Sequence, residues 1–235
     1  MTDHRISLCI FQLELFEKAL QHSTRAGNPA KMSGRAMLIM RREERRAYLR
    51  RLQPYIIASL TLFALGIAAG LLAVQRIPSL ADHFQDTLAN FVKLFAGMPP
   101  LQLAGAIFLN NAFKTLGAII FGALLGIVPV VFLLANGVAL GVAMSLSVQA
   151  RGLWPSLLAI LPHGLVELPA VFLGTSIGLM IGHRAVLRLS GRAETSIGTE
   201  VLHGIKYFCT VLVPLLLLAA FVEAFITGAV VAPRK

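Results

Sequence analysis

The sequence predicts an all-α polytopic membrane helix bundle, with about five transmembrane helices and one amphipathic interfacial helix. Three observations carry that expectation. Of 235 residues, 57% are hydrophobic and 14% charged, whereas soluble domains average about 25% charged residues. Mean hydropathy is +0.77. The apolar residues also come in continuous runs, not in period-two alternation, which favours helices over a β-barrel. A hydrocarbon core of about 30 Å needs about 20 such residues per helix.

The first span is expected at 55–74, between the basic run Arg41 to Arg51 and Arg76-Ile77-Pro78. The second covers about 101–127 and the third about 138–149, with an earlier start near Val130 as an alternative. Residues 127–137 between them are nearly as apolar as their surroundings. Hydropathy there allows a turn, a broken helix or a re-entrant hairpin, and the reading taken is a tight turn at Asn136-Gly137. The fourth span covers about 154–181 and the fifth about 207–231. Between spans one and two, Leu80, Phe84, Leu88, Phe91, Val92 and Phe95 recur at helical spacing opposite Asp82, Asp86, Asn90 and Lys93. That pattern predicts the interfacial helix over 79–97.

Charge sets the orientation. Arg41, Arg42, Arg45, Arg46, Arg50 and Arg51 precede span one, and Arg184, Arg188, Arg192 and Lys206 lie between spans four and five. An odd number of spans puts both segments on one side, and the positive-inside rule makes that side cytoplasmic. Residues 1–40 read as an N-terminal cytoplasmic extension and 41–235 as the membrane domain, with the C-terminus outside. Met37 and Met40 stand just before the basic run, where translation could equally begin. No cleavable signal peptide is apparent. The net charge of +10 is concentrated at the start, where residues 1–53 carry 11 Lys/Arg against 5 Asp/Glu. Beside a membrane span such a segment suits anionic lipid head groups, and no aromatic-interleaved motif marks nucleic-acid binding. Cys9 and Cys209 are too few and too distant for a disulfide framework or a cysteine metal site.

Small residues recur every four positions at Gly66/Gly70, Gly122/Gly126, Gly137/Gly141 and Gly174/Gly178/Gly182. Lipid supplies no hydrophobic drive between helices, so close backbone approach through such stripes carries association. The triple stripe makes span four the expected central helix, and a stripe left exposed would support a homo-oligomer. Pro162, Gly164 and Pro169 in the same span disfavour a straight helix and mark an expected break.

Ionisable groups inside apolar spans are the candidate functional residues. One near mid-span costs about 2.5–3.5 kcal/mol on insertion scales unless it is paired or faces a wet cavity. His163 and Glu167 stand four apart in span four, on one face if that turn is helical. Such a pair could be a proton relay, half of a metal site or a structural couple. Asn110, Asn111 and Lys114 fall within one turn of span two, and Glu223 lies in span five. Lys114 is expected to pair with Glu167 or Glu223, which would set helix register. A third metal ligand is not evident, no nucleophilic triad or phosphate loop is present, and neither catalysis nor a cofactor is expected.

In order along the chain, Asn110-Asn111, Asn136-Gly137, Pro162-His163-Gly164 with Glu167-Leu168, the Gly174/Gly178/Gly182 ladder, and Glu223-Ala224-Phe225-Ile226-Thr227 resemble the stage II sporulation protein M family. The resemblance covers about residues 45–231. It implies a membrane protein of about five spans. The family's namesake is a membrane scaffold for cell-wall hydrolases during engulfment, but members occur far beyond spore formers, so ancestry is implied and sporulation is not. Two functions follow as expectations. The first is a scaffold that assembles unidentified membrane or extracytoplasmic proteins, its helices locked by the polar cluster. The alternative is a permease-like transporter of an ion or small solute, lined by Asn110, Lys114, His163, Glu167 and Glu223.

Overall fold

The computed structural model describes residues 40–77, 79, 84–87, 97–192 and 196–231, and for 159–166 and 226–231 it describes the backbone alone. The chain divides into Met1–Ile39 and Met40–Lys235. The first unit, with the expected N-terminal extension and Cys9, lies outside the described residues. Of the expected interfacial helix, 84–87 is helical with Phe84 half-buried, and most of the rest lies outside the described residues.

Among the described residues, five helices are long and apolar enough to cross a membrane. Helix α1 spans Arg42–Arg76. It starts where the Glu44 carboxylate accepts the Arg41 backbone N–H at 3.1 Å, and Glu43 and Glu44 suit the positive end of the helix dipole. Helix α2, Pro100–Ile120, begins with proline at its first position, where no backbone donor is lost. A 3-10 turn follows at Phe121–Ala123, then α3 at Ile127–Arg151. Gly152, with φ of 86°, ends α3 and opens α4, Leu153–Leu189. The last crossing joins α5, Ile197–Tyr207, through a π-helical turn at Phe208–Leu212 to α6, Val213–Val231. At 1.5 Å per residue α1 and α4 are each longer than about 50 Å, so both outreach the hydrocarbon core.

Two expectations about helix breaks are corrected. The reversal between spans two and three lies at 121–126, where Leu125 and Gly126 take φ of 56° and 76°. Asn136 and Gly137 sit inside α3, which therefore starts about a dozen residues before 138. The Asn136 amide folds back to donate to the Phe132 carbonyl at 2.7 Å, satisfying itself on its own helix. Gly137 has no side chain because α1 occupies the space: a Cβ there would strike the Phe63 carbonyl and the Gly66 Cα. Likewise Pro162, Gly164 and Pro169 do not break α4, which continues through all three. Each proline removes one backbone bond, and membrane helices absorb that loss when the flanking bonds persist.

Helix α4 packs against α1, α2, α3 and α6, as its glycine ladder predicts for a central helix. Its stretch from Leu173 to Gly178 is buried without interruption. A Cβ on Gly178 would overlap the Ala118 carbonyl of α2, and one on Gly182 the Gly126 backbone. The α1–α3 seam uses the same device, with Gly66 and Gly70 set against Leu134, Gly137 and Val138.

Candidate functional site

Three of the packed helices carry the ionisable residues of the spans: α2, α4 and α6 contact one another pairwise. On α2, Asn111 is buried and accepts the Asn110 amide at 3.3 Å. Thr115, one turn on, is 1% exposed and presses on Gly174, and its hydroxyl has no hydrogen-bond partner among the described residues. Lys114 is exposed. The expected ion pair between Lys114 and Glu167 or Glu223 is not among the contacts the described residues make.

Depth explains the missing pair. Thr115 of α2 and Leu212 of the last crossing both touch Gly174, so the three lie at one level. Glu167 is seven residues along α4 from Gly174, a displacement of about 10 Å at the helical rise. Glu223 is eleven residues beyond Leu212, about 16 Å away in the same direction. That brings Glu223 near the level of the His163 backbone and takes it away from Lys114. Both glutamates are half-buried, and each has an interaction partner in the chain. The His163 side chain, and so its expected pairing with Glu167, lies outside the described residues. Among the described residues no three His, Cys, Asp or Glu side chains are placed to hold a metal ion.

A second polar group joins α1 to α4 within the apolar zone. Ser59 and Ser176, both fully buried, hydrogen-bond at 3.0 Å. Thr175 lies 3.5 Å from Ser59 and donates to the Val171 carbonyl at 2.8 Å. Ser176 also donates back to its own helix at Phe172. Beside them Phe63 meets Phe172 edge-on, with ring centroids 5.2 Å apart. Every hydroxyl here has a partner, and the result is a structural tie between two helices.

The third group escaped the sequence reading. Arg51 Nη2 donates to both oxygens of Glu200, at 2.9 and 3.1 Å. The Glu200 side chain is 3% exposed and that of Arg51 42%. The same guanidinium lies 5.9 Å over the Tyr48 ring, which in turn packs on Tyr207 at 5.2 Å. Four residues along, the Tyr55 hydroxyl meets His183 Nδ1 at 2.6 Å. These contacts tie the polar end of α1 to α5 and to the end of α4. They also bring the two basic segments of the chain to the same end of the bundle. Both partners of the ion pair lie in stretches that hydropathy reads as loop. The available signal was the spacing Ile197, Val201, Ile205, Phe208, which marks a helix continuing upstream of span five.

The family model for stage II sporulation protein M matches residues 59–228, from the middle of α1 to the end of α6. The chain belongs to the stage II sporulation protein M family. It is similar to an uncharacterised protein of Methanocaldococcus jannaschii, 26% identical over 174 residues, which covers 73% of this chain and 93% of that one. No solved structure matches the chain. The family match holds α2, α3, α4 and α5 entire, together with Glu200 and His183. It leaves out Tyr48, Arg51 and Tyr55, so the polar end of α1 stands beyond the shared region.

Proposed function

We propose that this stage II sporulation protein M relative is a non-catalytic scaffold of the cell membrane, a preformed platform on which other membrane or extracytoplasmic proteins assemble. The observation that carries the reading is the central α4, held to α2 by backbone-to-backbone glycine contacts along its inner half. Such contacts resist the sliding or rocking that alternating access requires. Lys114, one of the residues a transport path would use, is exposed and stands about 10 Å in depth from Glu167. The N-terminus is cytoplasmic and the C-terminus outside, by the excess of arginine at the end where α1 starts and α4 finishes. That basic end lies against anionic lipid head groups.

Reconstitution into vesicles tests the choice. The scaffold reading expects no proton or ion flux above that of empty vesicles, and no change in flux on Glu167→Gln. A pH- or ion-dependent flux that Glu167→Gln abolishes, in protein that remains folded, would establish the permease reading instead.

A further inference from the structure

We propose that the outward face of α2 around Lys114 docks the transmembrane helix of another protein, and that this helix offers a carboxylate to the lysine. The proposal rests on the scaffold reading and names the face and the chemistry of its partner.

Depth makes Lys114 unusual. It neighbours Thr115, which sits level with Gly174, and Gly174 lies eight residues along α4 from Gly182. Gly182 is packed on the 121–126 turn, so Lys114 lies about 12 Å inward from that turn. The turn itself exposes Phe121, Leu124 and Leu125, so the apolar zone extends past it. A four-carbon stem covers only part of the way to water. Lys114 is nevertheless exposed, next to Phe113, which is 70% exposed. An ammonium in that position faces hydrocarbon unless a second molecule covers it.

The shape of the face agrees. The glycines of the α1–α3 and α2–α4 seams meet another part of the chain within about 3.6 Å of an added Cβ. Gly117 meets only its own helix, at Phe121 Cδ2, 3.9 Å away. Gly117, three residues on from Lys114, thus leaves backbone bare beside it, as close approach of another helix requires.

Charge selects the occupant. A two-fold contact between copies in the same membrane orientation preserves depth. It would set Lys114 against itself, with Glu167 and Glu223 still about 10 Å and 16 Å away along the normal. A phosphate head group lies farther off still. A different membrane helix with Asp or Glu at this level meets the requirement.

A photo-crosslinking residue at Phe113, with controls at Ile57 on α1 and Phe221 on α6, tests this in native membranes. The expected Phe113 adduct is a single membrane protein with Asp or Glu in the crosslinked span. Lys114→Leu should lower its yield at least tenfold while leaving the melting temperature of the purified chain in place. Lys114→Glu combined with the reciprocal acid-to-lysine change in the partner should restore it. An adduct to lipid alone, to a second copy, or to a protein whose yield ignores Lys114→Leu overturns the proposal. Protein adducts from Ile57 or Phe221 but not Phe113 refute this face and leave the scaffold standing. No protein adduct from any of the three positions removes both.

Discussion

The glycine seams of the bundle and its polar end hold helices together by opposite means. Along α2–α4 and α1–α3, side chains are absent where the backbones meet, as at Gly178 against Ala118 and Gly137 against Gly66. At the end where α1 begins, long side chains reach across instead, from Arg51 to Glu200 and from Tyr55 to His183. Surroundings account for the difference. In hydrocarbon no apolar drive joins helices, so dispersion between close backbones must do it. Near water a charged pair is cheap to form, because one partner keeps its hydration, and it fixes orientation more than it adds stability.

The comparison breaks most clearly at the seams. Gly178→Val should cost about 3 kcal/mol or more, at the upper end for overpacking, because its neighbour is backbone that cannot rotate away. Thermal unfolding in detergent should show a large drop or loss of folded protein, and an unchanged transition would mean that the two helices are not in contact. The polar end should be weaker. Arg51→Met strands Glu200, which is 3% exposed, yet the cost should be about 1–2 kcal/mol, below that of a fully buried pair, since Arg51 is 42% exposed. Adding salt should weaken the wild type toward the variant. Ser59→Ala should cost less again, about 0.5–1 kcal/mol, because Ser176 keeps its bond to Phe172. Smallest of all, Lys114→Leu should leave the melting temperature of the isolated chain unchanged or slightly raised, since that side chain is exposed.

The same contrast explains what the sequence made legible. Hydropathy marks the five crossings because each is apolar throughout, and the Gly174/Gly178/Gly182 ladder singles out α4 as central because small residues at helical spacing have few other uses in lipid. The turn after α2 was misplaced because Phe121 to Gly126 is apolar, whereas Asn136-Gly137 looks like turn chemistry. Composition cannot tell a glycine that bends the chain from one that admits a neighbour. The helical ends, 42–54 and 197–206, were hidden because they leave the hydrocarbon and lose the apolar signal. The Arg51–Glu200 pair was hidden with them, 149 residues apart in sequence. Lys114 was given a carboxylate partner on sound energetic grounds, but sequence spacing within one helix carries no depth relative to another.

The most direct test makes one change at two glycines. Alanine is a better helix former than glycine by about 0.8–1.0 kcal/mol, so a glycine without a packing role gains from the exchange. Gly117→Ala adds a methyl group whose nearest neighbour is Phe121 Cδ2 at 3.9 Å, whereas Gly178→Ala drives one into the Ala118 carbonyl. Melting the two purified variants beside the wild type should move the transition in opposite directions, level or upward for Gly117→Ala and downward for Gly178→Ala. Shifts of the same sign and size would contradict a bundle held by backbone contact around α4.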